Sequence, residues 1–204
     1  MNWPRPLPLL LLIGMAGALA GILAARMLAQ NSVRLQAGTL LPAARVLAPL
    51  RLSDLDGAAF TNASLQGHPS LVYFGYASCP DVCPAVLTAL AAVRRRAPLA
   101  GLQLLFITVD PEHDTPAVLK GYLAAFGGGF IGLRAGESAL APLLQGLTAS
   151  ADRRELSGGT RAINHTATLY LLDRHGRLAA VFTPPFNPAL LDADLRALAR
   201  ASAI

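Results

Sequence analysis

Charged residues are scarce in this chain, at 14% of 204 positions, whereas hydrophobic residues make up 53%. That balance excludes intrinsic disorder, which goes with few apolar side chains and abundant charge, and it allows a sizeable core. Lysine is nearly absent. Sixteen arginines and a single lysine supply the positive side of a net charge of +5. A basic excess can mark nucleic-acid binding, but the only tight basic cluster is Arg94-Arg95-Arg96, and no nucleic-acid motif accompanies it. These arginines read as a solvated last helical turn, where cations favour the negative end of the dipole. No nucleic-acid partner is expected. Internal repeats and signs of a second domain are also lacking, and the length suits one domain plus an appendage.

Charge is missing altogether from Leu7 to Ala25, a run rich in Leu, Ala, Gly and Ile. Nineteen residues at the helical rise span about 28 Å, close to the thickness of a bilayer's hydrocarbon core. Arg5 and Arg26 flank the run, where long side chains can reach headgroups, and Trp3 reads as an interfacial anchor. Ala18-Leu19-Ala20 has the small-x-small form of a signal-peptide cleavage site, but the run exceeds the roughly 7–15 residues of a signal core. An uncleaved transmembrane helix is therefore expected within residues 1–26. Flanking charge alone does not orient it, because Arg5 and the terminal amine face Arg26 and Arg34 across the span.

Residues 27–49 carry Gln30, Asn31, Ser32, Gly38, Pro42 and Pro49 without a sustained period and read as a linker. The domain is expected over residues 50–204. Leu50–Ser53 and the segment around Phe60 flank an Asp56-Gly57 turn signal, and Leu71–Tyr76 is a short apolar strand. Pro84–Ala97 reads as a helix and Leu102–Val109 as a buried strand. Thr115-Pro116 opens a second helix that Gly127-Gly128-Gly129 breaks. Phe130–Leu133 is a further strand and Ser138–Thr148 a third helix, while 151–162 lacks pattern and reads as a long loop. Ala167–Asp173 and Leu178–Phe182 form a hairpin around His175-Gly176, and the last helix runs from Pro188 to Arg200. Such alternation predicts an α/β fold with a mixed central sheet flanked by helices.

The two cysteines lie in Cys79-Pro80-Asp81-Val82-Cys83-Pro84, between an apolar strand and a helix. Proline suits the first helical position, which puts Cys83 at the cap and Cys79 in the loop. A helix amino terminus favours thiolate over thiol, and thiolate is both metal ligand and redox nucleophile. Three blander readings compete. A structural disulfide here would close a five-residue loop for only about 2 kcal/mol, against about 3 kcal/mol for a fifteen-residue loop. Two inert buried thiols fit the loop-to-helix position poorly. Zinc held by two cysteines and a histidine remains open.

The run Tyr73-Phe74-Gly75-Tyr76-Ala77-Ser78-Cys79-Pro80-Asp81-Val82-Cys83-Pro84 resembles the signature of the Sco (SenC) copper chaperones. The resemblance continues at Thr108-Val109-Asp110-Pro111-Glu112-His113-Asp114-Thr115, at Gly121-Tyr122 through Leu133, and at Asn164-His165-Thr166 through Gly176. It implies a thioredoxin-like fold that binds one copper ion through Cys79, Cys83 and His165. It also implies a role in assembling the binuclear copper centre of cytochrome c oxidase, whose copper-centre subunit would be the partner, with another copper chaperone as donor. The expected location is a bacterial inner membrane, single-pass, with the soluble domain facing the periplasm. The alternative function is a thiol–disulfide reductase that keeps the acceptor's cysteines reduced, with Cys79 and Cys83 as the redox pair.

The chemistry of the implied ligands agrees: two thiolates and an imidazole form a soft, low-coordinate set that suits copper(I). His165 precedes the strand Ala167–Asp173, where thioredoxin-type oxidoreductases usually carry a proline that this chain lacks. Asn164 stands where the family commonly has an acid, and His113 where it often has arginine. His113, His175 and His68 read as ordinary surface or turn residues. Asp110 and Asp114 are placed to organise the loop facing the site, with helix initiation as the plainer role for Asp114, and Asp81 to face a partner.

Overall fold

The computed structural model describes residues 14–15, 17–22, 33–96, 99, 101–155 and 161–204. Residues 14, 15 and 17–22 are helical, and among the described residues no helix is long and apolar enough to cross a membrane. The rest of the span expected over Leu7–Ala25 lies outside the described residues.

From Leu35 onward the chain forms one compact unit. Its described strands are β1 (Gly38–Arg45), β2 (Leu52–Asp54), β3 (Ala59–Phe60), β4 (Ser70–Gly75), β5 (Gln103–Thr108), β6 (Phe130–Arg134), β7 (Ala151–Glu155), β8 (Arg161–His165), β9 (Leu169–Leu172) and β10 (Leu178–Phe182). The helices are α1 (Val82–Arg96), α2 (Pro116–Ala124), α3 (Glu137–Leu147) and α4 (Pro188–Arg200). Eight strands make one sheet in the order β1-β10-β9-β4-β5-β6-β2-β3, and β7 and β8 form a separate antiparallel ribbon. The pairs β4–β5 and β5–β6 are parallel while β9, β10, β1 and β2 join antiparallel, so the sheet is mixed as expected.

Strand β4 lies in mid-sheet with every residue buried, which is why it reads as a continuous apolar run rather than an alternating one. Tyr73, Phe74, Phe106 and Tyr170 are among the largest fully buried side chains. Removing each from water contributes about 1.5–3 kcal/mol. Helix α1 lays Val86, Leu87, Leu90 and Val93 into the core and ends in the exposed Arg94-Arg95-Arg96 turn. The ends of β4 and β5 therefore cannot shift without opening the core, and both lead into loops at the same edge of the sheet.

Two expectations fail for related reasons. Gly38–Arg45, read as linker, is the edge strand β1, paired with β10. Pro42 is tolerated because an edge strand leaves one row of amides unpaired, and the strand is mostly exposed, so no hydrophobic alternation betrays it. Its start is held from outside: the carboxylate of Asp194 on α4, 1% exposed, accepts hydrogen bonds from the Gln36, Ala37 and Gly38 amides at 2.7–3.1 Å. Residues 151–162, read as a loop, contain β7 and the start of β8, which pair with each other and show no hydrophobic alternation in sequence.

The Asp194→Ala variant should lose about 3 kcal/mol of stability, because three amides lose a charged acceptor at once. Urea unfolding measures the loss, and faster hydrogen exchange over residues 36–40 should accompany it.

Candidate metal centre

The centre assembles where β4 ends. The chain leaves Gly75 through Tyr76, turns at Ala77–Pro80 and enters α1 at Val82. The Cys79 amide donates to the Tyr76 carbonyl at 3.3 Å, and the Cys83 amide donates to the Cys79 sulfur at 3.4 Å. Cys79 thus receives one of the unpaired amides of a helix start. Helix α1 begins two residues earlier than Pro84, so Cys83 lies inside the first turn rather than at the cap. Both cysteines are free thiols, Cys79 8% exposed and Cys83 fully buried.

His165 arrives from a different part of the fold, at the end of β8 on the separate ribbon. Its Nε2 lies 3.4 Å from the Cys83 Sγ, and the three donor atoms of Cys79, Cys83 and His165 all lie within 4.8 Å of one another. The rings of Tyr73 and Tyr76 meet the imidazole edge-on, with centroids at 5.9 and 5.8 Å. The base of the ribbon is latched by Ser150 and Thr166. The Ser150 amide donates to the Thr166 hydroxyl at 2.9 Å, and the Thr166 amide donates to the Ser150 carbonyl at 3.0 Å. The Nδ1 of His165 faces the Thr166 carbonyl at 3.4 Å. A carbonyl only accepts, so this contact assigns the proton to Nδ1 and leaves the Nε2 lone pair facing the sulfur.

Electrostatics corrects one expectation. Cys83 sits at a helix start, yet burial pushes its thiol up to about 12. Desolvation here outweighs the partial charge of the helix end. Burial also holds the His165 imidazole below its usual range. Cys83 and His165 therefore form a neutral thiol–imidazole pair at neutral pH, not a thiolate–imidazolium pair. The two groups become good ligands together when a cation displaces the thiol proton.

Two supporting residues fix the loop. A Cβ on Gly75 would fall 3.1 Å from the Cys83 sulfur and 2.8 Å from the Phe106 ring, so the absence of a side chain there lets α1 approach the sheet. Asp114, 2% exposed, accepts from the Ala77 amide at 3.1 and 3.2 Å and from the Thr108 hydroxyl. It ties the loop before Cys79 to the end of β5. The start of α2 is capped by Thr115 instead, which accepts from the Val118 amide. Of the two roles open to Asp114 in the sequence, the structure shows loop organisation.

The other candidates stand apart. The Nδ1 of His113 contacts the Asp110 carboxylate at 2.9 Å on a half-exposed side chain. His68 reaches the Gly101 carbonyl at 3.3 Å, and His175 lies in the β9–β10 turn, where its amide donates to Asp173. Asp81 is exposed. Asn164 is exposed and pairs with Asp152 across the ribbon, so alternation turns it away from the imidazole. Among the described residues, Cys79, Cys83 and His165 are the one cluster with metal-ligand geometry. Its soft donor set fits a low-coordinate ion such as copper(I), whereas structural zinc takes four ligands. Tyr73, Tyr76 and Thr166 stand in the motifs quoted from the sequence without an assigned role, and Ser150 stands in none. The period of two that puts Tyr73 on the Gly75 side of β4 was the available signal.

The SCO1/SenC family model matches residues 39–200. The chain belongs to the SCO1/SenC family. A SCO2-like protein of Rickettsia prowazekii is 35% identical over 133 residues, 63% of this chain and 65% of that protein's own length. The structure of Bradyrhizobium japonicum ScoI with copper bound superposes with a TM-score of 0.67 at 36% identity, covering 74% of this chain and 98% of that one. Yeast Sco1 with copper bound gives a TM-score of 0.69 at 28% identity, over 76% and 89%. The SCO1/SenC chain thus has the expected mixed α/β, thioredoxin-like fold of its family.

Two substitutions separate the roles of the supporting residues. Gly75→Ala should displace the Cys83 sulfur or the Phe106 ring and reduce copper(I) affinity at least about tenfold, measured by competition with a chromophoric chelator. Asp114→Ala should destabilise the domain by about 1–3 kcal/mol in urea unfolding, because the Ala77 amide and Thr108 hydroxyl lose their acceptor.

Proposed function

We propose that the protein is a membrane-anchored metallochaperone. It binds one copper ion through Cys79, Cys83 and His165 and passes it to the copper-centre subunit of cytochrome c oxidase. The observation that carries the proposal is the convergence of two sulfurs and an imidazole nitrogen within 4.8 Å, from stretches of sequence far apart. Family membership and the copper-bound ScoI and Sco1 structures support copper as the ion. Copper is cargo here. Release to an acceptor bearing cysteine and histidine proceeds by exchange of ligands, and the nearly buried Cys79 is the most open of the two sulfurs. Another copper chaperone is the donor.

The anchor is the apolar run Leu7–Ala25, joined by a linker to the domain. Helical residues 17–22 and the exposed Met15, Leu19 and Ile22 support a lipid-facing helix. The soluble domain faces the periplasm from the inner membrane, where the oxidase subunit's copper centre would be accessible. The domain that carries the site comprises Leu35–Ile204.

The reductase reading uses the same two cysteines and no histidine. The neutral Cys83–His165 pair disfavours it, because a thiol pushed up to about 12 is a poor nucleophile at neutral pH. The variant His165→Ala should remain folded and lose copper(I) affinity by more than the roughly 10–100-fold typical of a group that only orients a ligand. Its oxidase activity in cells should fall as far as that of Cys79→Ser. Wild-type oxidase activity in His165→Ala would give the reductase reading the site.

Binding should also release protons. Because burial raises the Cys83 pKa in the metal-free protein, copper(I) must displace a proton at any pH below about 12. The apparent affinity should therefore rise at least about tenfold per pH unit through the neutral range, read by chelator competition at several pH values. His165, held below its usual range, adds no proton to this slope above neutral pH.

A further inference from the structure

Tyr73 carries a hydroxyl that the fold buries without use. The residue is fully buried in β4, and its phenolic oxygen makes no hydrogen bond of good geometry, although the Cys83 sulfur is near enough to interact with it. Buried polar atoms without partners are rare in folded proteins, and each calls for a reason. Tyrosine hydroxyls in cores ordinarily find an acceptor, and a phenylalanine would fill the same space without one.

The position of the ring supplies a reason. Tyr73 and Gly75 are two apart in one strand and face the same side of the sheet. Gly75 lies directly under the Cys83 sulfur, as the 3.1 Å approach of its missing Cβ shows. The Tyr73 ring sits between Phe106 and His165, with centroids at 6.1 and 5.9 Å. Phe106 packs against Gly75, and His165 touches the Cys83 sulfur at 3.4 Å. The orphaned hydroxyl is thus enclosed by the groups that surround one sulfur atom. A neutral thiol is a weak acceptor, which leaves the hydroxyl unsatisfied in the metal-free protein. A thiolate is a strong one.

We infer that the Tyr73 hydroxyl is a positioning donor for the copper site, giving its hydrogen bond to the Cys83 sulfur once copper has displaced the thiol proton. The metal-free fold holds this donor beside the Cys83 sulfur without a well-formed hydrogen bond, and copper uptake completes the pair. This rests on Cys83 being a copper ligand, as proposed above.

The test uses the full-length protein in detergent, titrated with copper(I) against a chromophoric chelator, for wild type, Tyr73→Phe and Cys83→Ser. Cys83→Ser tests the ligand assignment by itself: it should weaken copper(I) binding more than about 100-fold, and unchanged binding would overturn that assignment. Tyr73→Phe should weaken binding about tenfold or more, the loss expected when a charged acceptor forfeits one buried hydrogen bond. The metal-free variant should meanwhile melt at the wild-type temperature or above it, because an unsatisfied hydroxyl is gone. Weaker binding with undiminished metal-free stability is a combination that a packing role alone does not produce. A smaller loss of affinity, with Cys83→Ser still impaired, overturns the inference and leaves the ligand assignment standing. Should Tyr73→Phe not fold, the wild-type protein answers by NMR with labelled tyrosine. The Tyr73 hydroxyl proton should become slow to exchange on copper(I) loading, and an unchanged exchange rate overturns the inference.

Discussion

A sulfur atom without access to water governs this structure. Cys83 is fully buried in the first turn of α1, pressed against the backbone of Gly75 and facing an imidazole. Burial keeps its proton on, against the pull of the helix end, and so keeps the metal-free site neutral. An uncompensated thiolate there would lack both water and a counter-charge. The position is compatible with a charge on sulfur when a cation arrives with it, and this couples ionisation to metal uptake.

The site joins two parts of unequal rigidity. The cysteine loop is set by the sheet: β4 is buried along its whole length, and Asp114 ties Ala77 to the end of β5. The histidine belongs to the β7–β8 ribbon, outside the main sheet, and is held by the Ser150–Thr166 latch and by the rings of Tyr73 and Tyr76. Closing the chain between Cys83 and His165 in an unfolded state would cost about 4 kcal/mol of entropy. The folded domain has already met that cost before the metal binds. Metal affinity is therefore a property of the scaffold as much as of the ligands.

The contrast between Asn164 and Thr166 shows how the imidazole is oriented here. Where the resemblance led to the expectation of an acid before the histidine, the chain has Asn164, an amide that the ribbon turns outward. Orientation comes instead from the backbone on the other side, through the Thr166 carbonyl at Nδ1. A carbonyl leaves the imidazole neutral and directs Nε2 inward, as a metal ligand requires.

Much of the core and the cysteine motif could be read from sequence because their signals are local. Continuous apolar runs mark β4 and β5, glycines end α2, and two cysteines stand between strand and helix. His165 entered only through resemblance, since nothing local distinguishes it from His113 or His175. Strand β1 was illegible because an edge strand buries no regular face, and the ribbon because its two strands pair with each other and its residues show no hydrophobic period. The residues alone determined which elements form and which side chains carry soft donors, for those depend on near neighbours and on hydrophobic period. Tertiary structure alone decided that Cys83 is neutral, that Gly75 must lack a side chain and that the imidazole reaches the sulfurs. Burial and convergence are sums over the whole fold, and no stretch of chain contains them.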